Sequence, residues 1–170
     1  MQRSETIEGA ASALVEALLG AGKTVAAAES CTGGWVAKAL TDIAGSSGCF
    51  AYGIVSYSND AKEALLDVDP ATLESHGAVS EPTVREMATG VLELSGADLA
   101  VAISGIAGPG GGSADKPAGT VWFAWASRSP GGSVSVDAVL HRLTGDREAV
   151  RRQSVVLALD GLRERIAANE

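Results

Sequence analysis

A chain of 170 residues, 46% hydrophobic and 20% charged, is long enough to bury a substantial core and reads as one soluble globular domain. Its 21 acidic and 13 basic residues leave a net charge of −8, which argues against a nucleic-acid binder that needs a basic face. No apolar run reaches the roughly 18 residues of a membrane span, and "MQRSETIEGA" lacks the apolar core of a signal peptide, so a cytoplasmic protein without membrane contact is expected.

Along the chain, Ser4 to Leu19 carries apolar residues at helical spacing and "GAGK" stops it. Val25 to Ala28 reads as a short buried strand. Trp35 to Ile43 returns to helical spacing, and Phe50 to Tyr57 has the aromatic and β-branched content of a strand. Asn59 to Leu66 reads as a short helix with Ser58 as its cap. A looser stretch containing Pro70 and Gly77 follows. "SEPTVREMATGVLELSG" is then a well-marked helix, with Ser80 as cap, Pro82 in the first turn and an apolar stripe through Val84, Met87, Ala88, Val91 and Leu92. Leu99 to Ile103 reads as a strand ending at Ser104, and a glycine-rich loop runs from there to Gly119. Two strands, Thr120 to Ala126 and Val134 to Leu140, are close enough to form a hairpin, and a helix from about Asp146 to Ala167 completes the chain.

This order describes an α/β protein: a three-layer α/β/α sandwich with a mixed sheet. If its first three strands run parallel, Ser30, Tyr57 and Ser104 each stand at or just beyond a C-terminal strand end. In open α/β sheets the ligand crevice forms at that edge.

Ser30 lies in "AAESCTGGWVAK", between a strand and a helix. It can be a turn or capping residue, or a nucleophile with the unpaired first N–H groups of the helix beside it as oxyanion donors. Gly33 and Gly34 would leave the approach open. A serine needs a base, and the two histidines, His76 and His141, offer no supported partner. Lysine serves when its pKa is lowered. Lys62 follows the second strand end on the first turns of a short helix, with Tyr57 five residues before it. Ordinarily such a lysine faces solvent, so its removal should cost activity without unfolding the protein. Cys31 is the competing nucleophile, ranked below Ser30 for want of an activating partner. Two histidines and two cysteines give no metal-ligand pattern, and neither metal nor cofactor is expected. "SGIAGPGGG" lacks the Lys-Ser/Thr ending of a P-loop, which leaves an anion-lining loop or a plain surface loop. Arg147 and Arg151 share a helix face, suited to phosphate or carboxylate, or to a solvated helix start.

Taken together, "AESCTGGWVAK", "SYSNDAKEALLDV", "HGAVSEPTV", "SGIAGPGGGSADKPAGTVWFA" and "GDREAVRRQ" resemble the CinA C-terminal domain family, over roughly residues 5 to 165. Within it, the chain looks most like the stand-alone nicotinamide-nucleotide amidohydrolases. The resemblance implies deamidation of nicotinamide mononucleotide to nicotinate mononucleotide and ammonia, in pyridine-nucleotide salvage, by a serine mechanism without metal. It implies Ser30 as nucleophile, Lys62 as general base and Tyr57 as an assistant in proton transfer. The backbone N–H groups of Cys31 and Thr32 would hold the oxyanion. Gly33, Gly34, Ser104, Gly105 and Gly108 would border the substrate, and Arg147 would meet its 5′-phosphate. A homo-oligomer is expected by analogy. The competing expectation is a non-catalytic nucleotide-binding or regulatory module linked to competence or DNA damage, which would need none of Ser30, Tyr57 and Lys62.

Overall fold

The computed structural model describes residues 4–168; the first three residues of the N-terminal stretch read above for a signal peptide lie outside them. Helix α1 (Ile7–Ala21) begins where the Thr6 side chain accepts the Gly9 N–H, and it ends at Gly22 in the left-handed conformation. There follow β1 (Val25–Glu29), α2 (Trp35–Thr41), a 3-10 turn (Ser46–Gly48), β2 (Phe50–Val55) and α3 (Asn59–Leu66). Next are α4 (Pro70–His76), α5 (Glu81–Ser95), β3 (Leu99–Gly105), β4 (Thr120–Arg128), β5 (Val134–Arg142) and α6 (Arg147–Ala168). Ser58 caps α3 and Ser80 caps α5, as their sequences predict.

The stretch read as loose around Pro70 corrects to helix α4. The Asp69 side chain accepts the Ala71 N–H, and Pro70 occupies the first turn, where its missing N–H costs nothing. With seven residues and Leu73 as its buried side chain, α4 shows no apolar stripe from which periodicity could reveal it.

The sheet has the order β2-β1-β3-β4-β5. Strands β1, β2 and β3 are parallel, while β4 and β5 form the antiparallel hairpin that makes the sheet mixed. Its two faces differ in composition. One presents Val25, Leu99, Val101, Ile103, Val121 and Phe123 to α1, α2 and α6. The other presents alanines in its buried apolar strand positions, Ala26, Ala28, Ala100, Ala102, Ala124 and Ala126, to the layer containing α3, α4 and α5. Period-two alternation separates these sets, so each strand feeds both cores. This is the three-layer α/β/α sandwich. No described helix is long and apolar enough to cross a membrane.

The connection after β1 runs through α2 on one face, and the connection after β2 runs through α3 to α5 on the other. Strand order therefore reverses between β1 and β3, where an open α/β sheet leaves its crevice. Ser30 extends β1 there, its N–H donating to Ile103 O at 3.0 Å. Ser56 extends β2 in the same way, donating to Glu29 O at 2.9 Å.

Helix α3 reaches this edge because α5 lets it approach closely. A Cβ at Gly90 of α5 would lie 1.9 Å from Leu66 O, a backbone atom that cannot move aside alone. Gly90→Ala must push α3 away, an overpacking cost of about 3 kcal/mol. Its thermal midpoint is expected to fall by about 6–12 °C, at roughly 2–4 °C per kcal/mol for a chain of this size. A calorimetric midpoint equal to wild type would contradict this packing.

Candidate active site

The turn after β1 is built by two glycines and one buried acid. Gly33 and Gly34 have φ of 61° and 95°, a region open to glycine at little cost. Gly34 occupies the cap position of α2 and supplies no side chain to cap it. Glu29 does so instead: its carboxylate, fully buried, accepts Val36 N–H at 2.8 Å and Ala37 N–H at 3.0 Å. The expectation that the first helical N–H groups stand free therefore needs correction. Among the described residues, the N–H groups left without a protein acceptor are those of Cys31, Thr32 and Gly34 in the turn itself. Ser30, relieved of capping, has its hydroxyl free for other work.

That hydroxyl meets Lys62. The Lys62 amine donates to Ser30 Oγ at 3.1 Å and to Ser56 O at 2.7 Å. Lys62 is 1% exposed, which overturns the expectation of a solvent-facing helix position. Lys62 and Leu66, four apart, are the buried residues of α3, so the lysine lies on the face that packs inward. No carboxylate pairs with the amine among the described residues. Burial disfavours the ammonium form and holds its pKa below the ordinary lysine value of 10.5. The thiol beside it behaves oppositely: burial pushes Cys31 up to about 11, so it stays protonated and is a poor nucleophile near neutral pH.

A cavity of about 290 Å³ opens over this pair. Ser30, Cys31, Tyr57, Lys62, Ser104, Gly105, Gly108 and Arg147 all border it. Ser104 is nearly buried and its hydroxyl donates to Ala78 O at 2.7 Å, tying the end of β3 to the segment before α5. Arg147 bridges the two sides, donating to Gly108 O at 2.8 Å and to the Tyr57 hydroxyl at 3.2 Å. Tyr57 is 62% exposed and its hydroxyl engages Arg147 rather than Ser30 or Lys62. Gly33 and Gly34 line a neighbouring depression with Trp35 and Arg151, which Arg147 also borders. Thr32 is fully buried, and its hydroxyl has no hydrogen-bond partner among the described residues.

The glycine-rich loop is tied down rather than loose. Ile106 and Gly119 bond back to Thr120 and Ile106, and Lys116 reaches His76 O at 3.0 Å. Arg151 departs from the pairing expected with Arg147. Its guanidinium donates to Cys31 O and Thr32 O, so it serves the turn instead of facing an open anion site. Sequence reasoning passed over Glu29 and Ser56, and it weighed Arg151 only as an anion ligand or a solvated helix start, missing its carbonyl partners. A lone acid ending an apolar strand is a signal for the first; the other two act through main-chain carbonyls and leave none.

A serine hydroxyl thus lies beside a desolvated amine at the crevice of an open α/β sheet. The chain belongs to the CinA C-terminal domain family, whose model matches residues 7–166. It is 54% identical over 154 residues to the nicotinamide-nucleotide amidohydrolase PncC of Escherichia coli K12, covering 91% of each chain. It is equally identical, over 157 residues, to a CinA-like protein of Chlorobaculum tepidum, of which it spans only 37%. Among solved structures, a CinA superfamily protein from Klebsiella pneumoniae superposes with a TM-score of 0.88 at 44% identity, covering 96% of this chain and 99% of that one. A competence/damage inducible protein from Agrobacterium tumefaciens gives 0.86 at 42% identity, covering 100% and 99%.

The buried amine sets a stability prediction. Below 10.5 the unfolded chain takes up a proton on Lys62 that the folded chain resists, so burial costs stability there, and the cost shrinks as pH rises toward 10.5. Lys62→Met is expected to raise the thermal midpoint at pH 7 by about 2–4 °C, a gain of about 1 kcal/mol, and to lose that advantage toward pH 10. A variant less stable than wild type at pH 7 would contradict the account.

Proposed function

We propose that the protein is a nicotinamide-nucleotide amidohydrolase, converting nicotinamide mononucleotide and water to nicotinate mononucleotide and ammonia. The observation that carries this reading is the 3.1 Å contact between Ser30 Oγ and a buried amine lacking a carboxylate partner. The 54% identity to PncC across 91% of each chain supplies the substrate class.

In this reading neutral Lys62 donates one N–H to Ser56 O and turns its lone pair toward Ser30, so that the 3.1 Å contact is now donated by the Ser30 hydroxyl. Ser30 Oγ attacks the carboxamide carbon as its proton moves to Lys62. The N–H groups of Cys31 and Thr32 receive the oxyanion. Collapse of the tetrahedral intermediate breaks the C–N bond, and the proton on Lys62 leaves with ammonia. Water then attacks the acyl-enzyme, Lys62 taking its proton and returning it to Ser30. Tyr57 assists the proton transfer, its hydroxyl held at the cavity border by Arg147. Arg147 stands at the cavity border as the cation for the 5′-phosphate, with Ser104, Gly105 and Gly108 forming the wall beside the nucleotide and Gly33 and Gly34 keeping the turn open. The protein works as a homo-oligomer in the cytoplasm, serving pyridine-nucleotide salvage.

Purified protein without added metal should release ammonia from nicotinamide mononucleotide. Ser30→Ala is expected to lower kcat by at least about 10³-fold, in the range seen when a serine nucleophile is removed, while Cys31→Ala stays within about threefold of wild type, as a protonated bystander thiol allows. Wild type that binds the nucleotide without releasing ammonia would favour a regulatory module, and loss of activity in Cys31→Ala alone would reverse the nucleophile.

A further inference from the structure

Arg151 sits in the second turn of α6 and reaches across to the turn after β1. Its Nε donates to Cys31 O at 3.1 Å and its Nη2 to Thr32 O at 3.0 Å. The guanidinium carbon lies 5.3 Å from the centroid of the Trp35 ring, a cation–π contact that fixes its plane. No carboxylate pairs with it among the described residues. Its hydrogen bonds therefore run to main-chain carbonyls, on the two residues that follow Ser30.

Peptide groups are planar and trans, so a carbonyl held on one side turns the N–H of the same peptide to the other. The Cys31 carbonyl shares its plane with the Thr32 N–H, and the Thr32 carbonyl with the Gly33 N–H. The second peptide displays the consequence: its N–H points back to Ser30 O at 3.0 Å. In the first, the Thr32 N–H is turned away from Arg151 and has no protein acceptor among the described residues. We propose that Arg151 is a positioning residue for the nucleophile turn, holding the Cys31 and Thr32 carbonyls so that the Thr32 N–H is aimed at the oxyanion formed when Ser30 attacks. A cation on both carbonyls also polarises the peptides and strengthens their N–H donors. A forked guanidinium serves two carbonyls at once, which a lysine ammonium on a flexible stem does less well. The role differs from that of Arg147, which engages Gly108 and Tyr57 across the cavity.

The proposal rests on Ser30 being the nucleophile of the amidase reading, and not on the identity of its substrate. The test uses two readouts on the full chain. One is the rate at which a fluorophosphonate probe labels Ser30: an Oγ–P bond forms, fluoride leaves, and the serine proton passes to Lys62. This step needs the oxyanion donors but no nucleotide. The other is kcat and KM for nicotinamide mononucleotide. Arg151→Gln is expected to slow labelling and lower kcat by about 30- to 100-fold, somewhat less than deletion of a direct oxyanion donor, with KM within about threefold. Arg151→Lys should fall between Gln and wild type, and added methylguanidinium should speed labelling of Arg151→Ala severalfold. Wild-type labelling and kcat in Arg151→Gln would overturn the proposal, as would a raised KM with kcat intact, which would mark a substrate contact. Should Arg151→Gln fail to fold, wild-type labelling by Arg151→Lys overturns it and intermediate labelling supports it. Wild-type protein that labels at Ser30 but releases no ammonia refutes the substrate assignment alone, leaving the labelling rates to decide on Arg151.

Discussion

A lysine amine buried between a serine hydroxyl and a main-chain carbonyl, with no carboxylate to neutralise it, is the constraint from which the rest of the site follows. Water would stabilise the ammonium form, and the fold withholds it, leaving Lys62 1% exposed. The two oxygens it keeps, Ser30 Oγ and Ser56 O, belong to the extensions of adjacent parallel strands. The sheet thus sets the spacing of the pair, and α3, seated on α5 at Gly90, sets the depth to which the lysine reaches. An ionic partner would hold the proton on the amine. Its absence among the described residues is what suits the group to the base role proposed for it.

The turn that carries Ser30 is fixed from two directions. Glu29, beneath it, takes the N–H groups of Val36 and Ala37 and ties the start of α2 to the end of β1. Arg151, from α6, takes the carbonyls of Cys31 and Thr32. A buried acid on N–H donors and a cation on carbonyl acceptors are each matched to the partial charge they meet. Between them the N–H groups of Cys31 and Thr32 are left without an acceptor among the described residues, beside the Ser30 proposed as nucleophile. Preorganised donors of this kind need no rearrangement as charge develops, which is the advantage such sites hold over water.

Much of this was readable in the sequence, and the limits have physical causes. Capping serines at 58 and 80, Pro82, and the stripe from Val84 to Leu92 located α3 and α5 because those signals are local. The placing of Ser30, Tyr57 and Ser104 near strand ends followed from element order alone. Helix α4 escaped because seven residues with one buried leucine carry no period, although Asp69 and Pro70 marked its start. The depth of Lys62 escaped because "NDAKEALL" is polar on most sides, and which side turns inward is decided by a glycine 28 residues later. Arg151 was grouped with Arg147 by spacing, whereas its partners are carbonyls over a hundred residues away.

The central claim is that Lys62 sits beside Ser30 as a base, and the proton on that amine is the quantity to measure. Selective labelling of the lysine side chains, with the Lys62 signal assigned through Lys62→Met, allows the amine to be titrated by NMR in the folded protein. The account predicts a midpoint below the ordinary lysine value of 10.5, and an upward movement of that midpoint when Gly90→Ala lifts α3 and admits water. A Lys62 that titrates at or above 10.5 in the folded wild-type protein would contradict it.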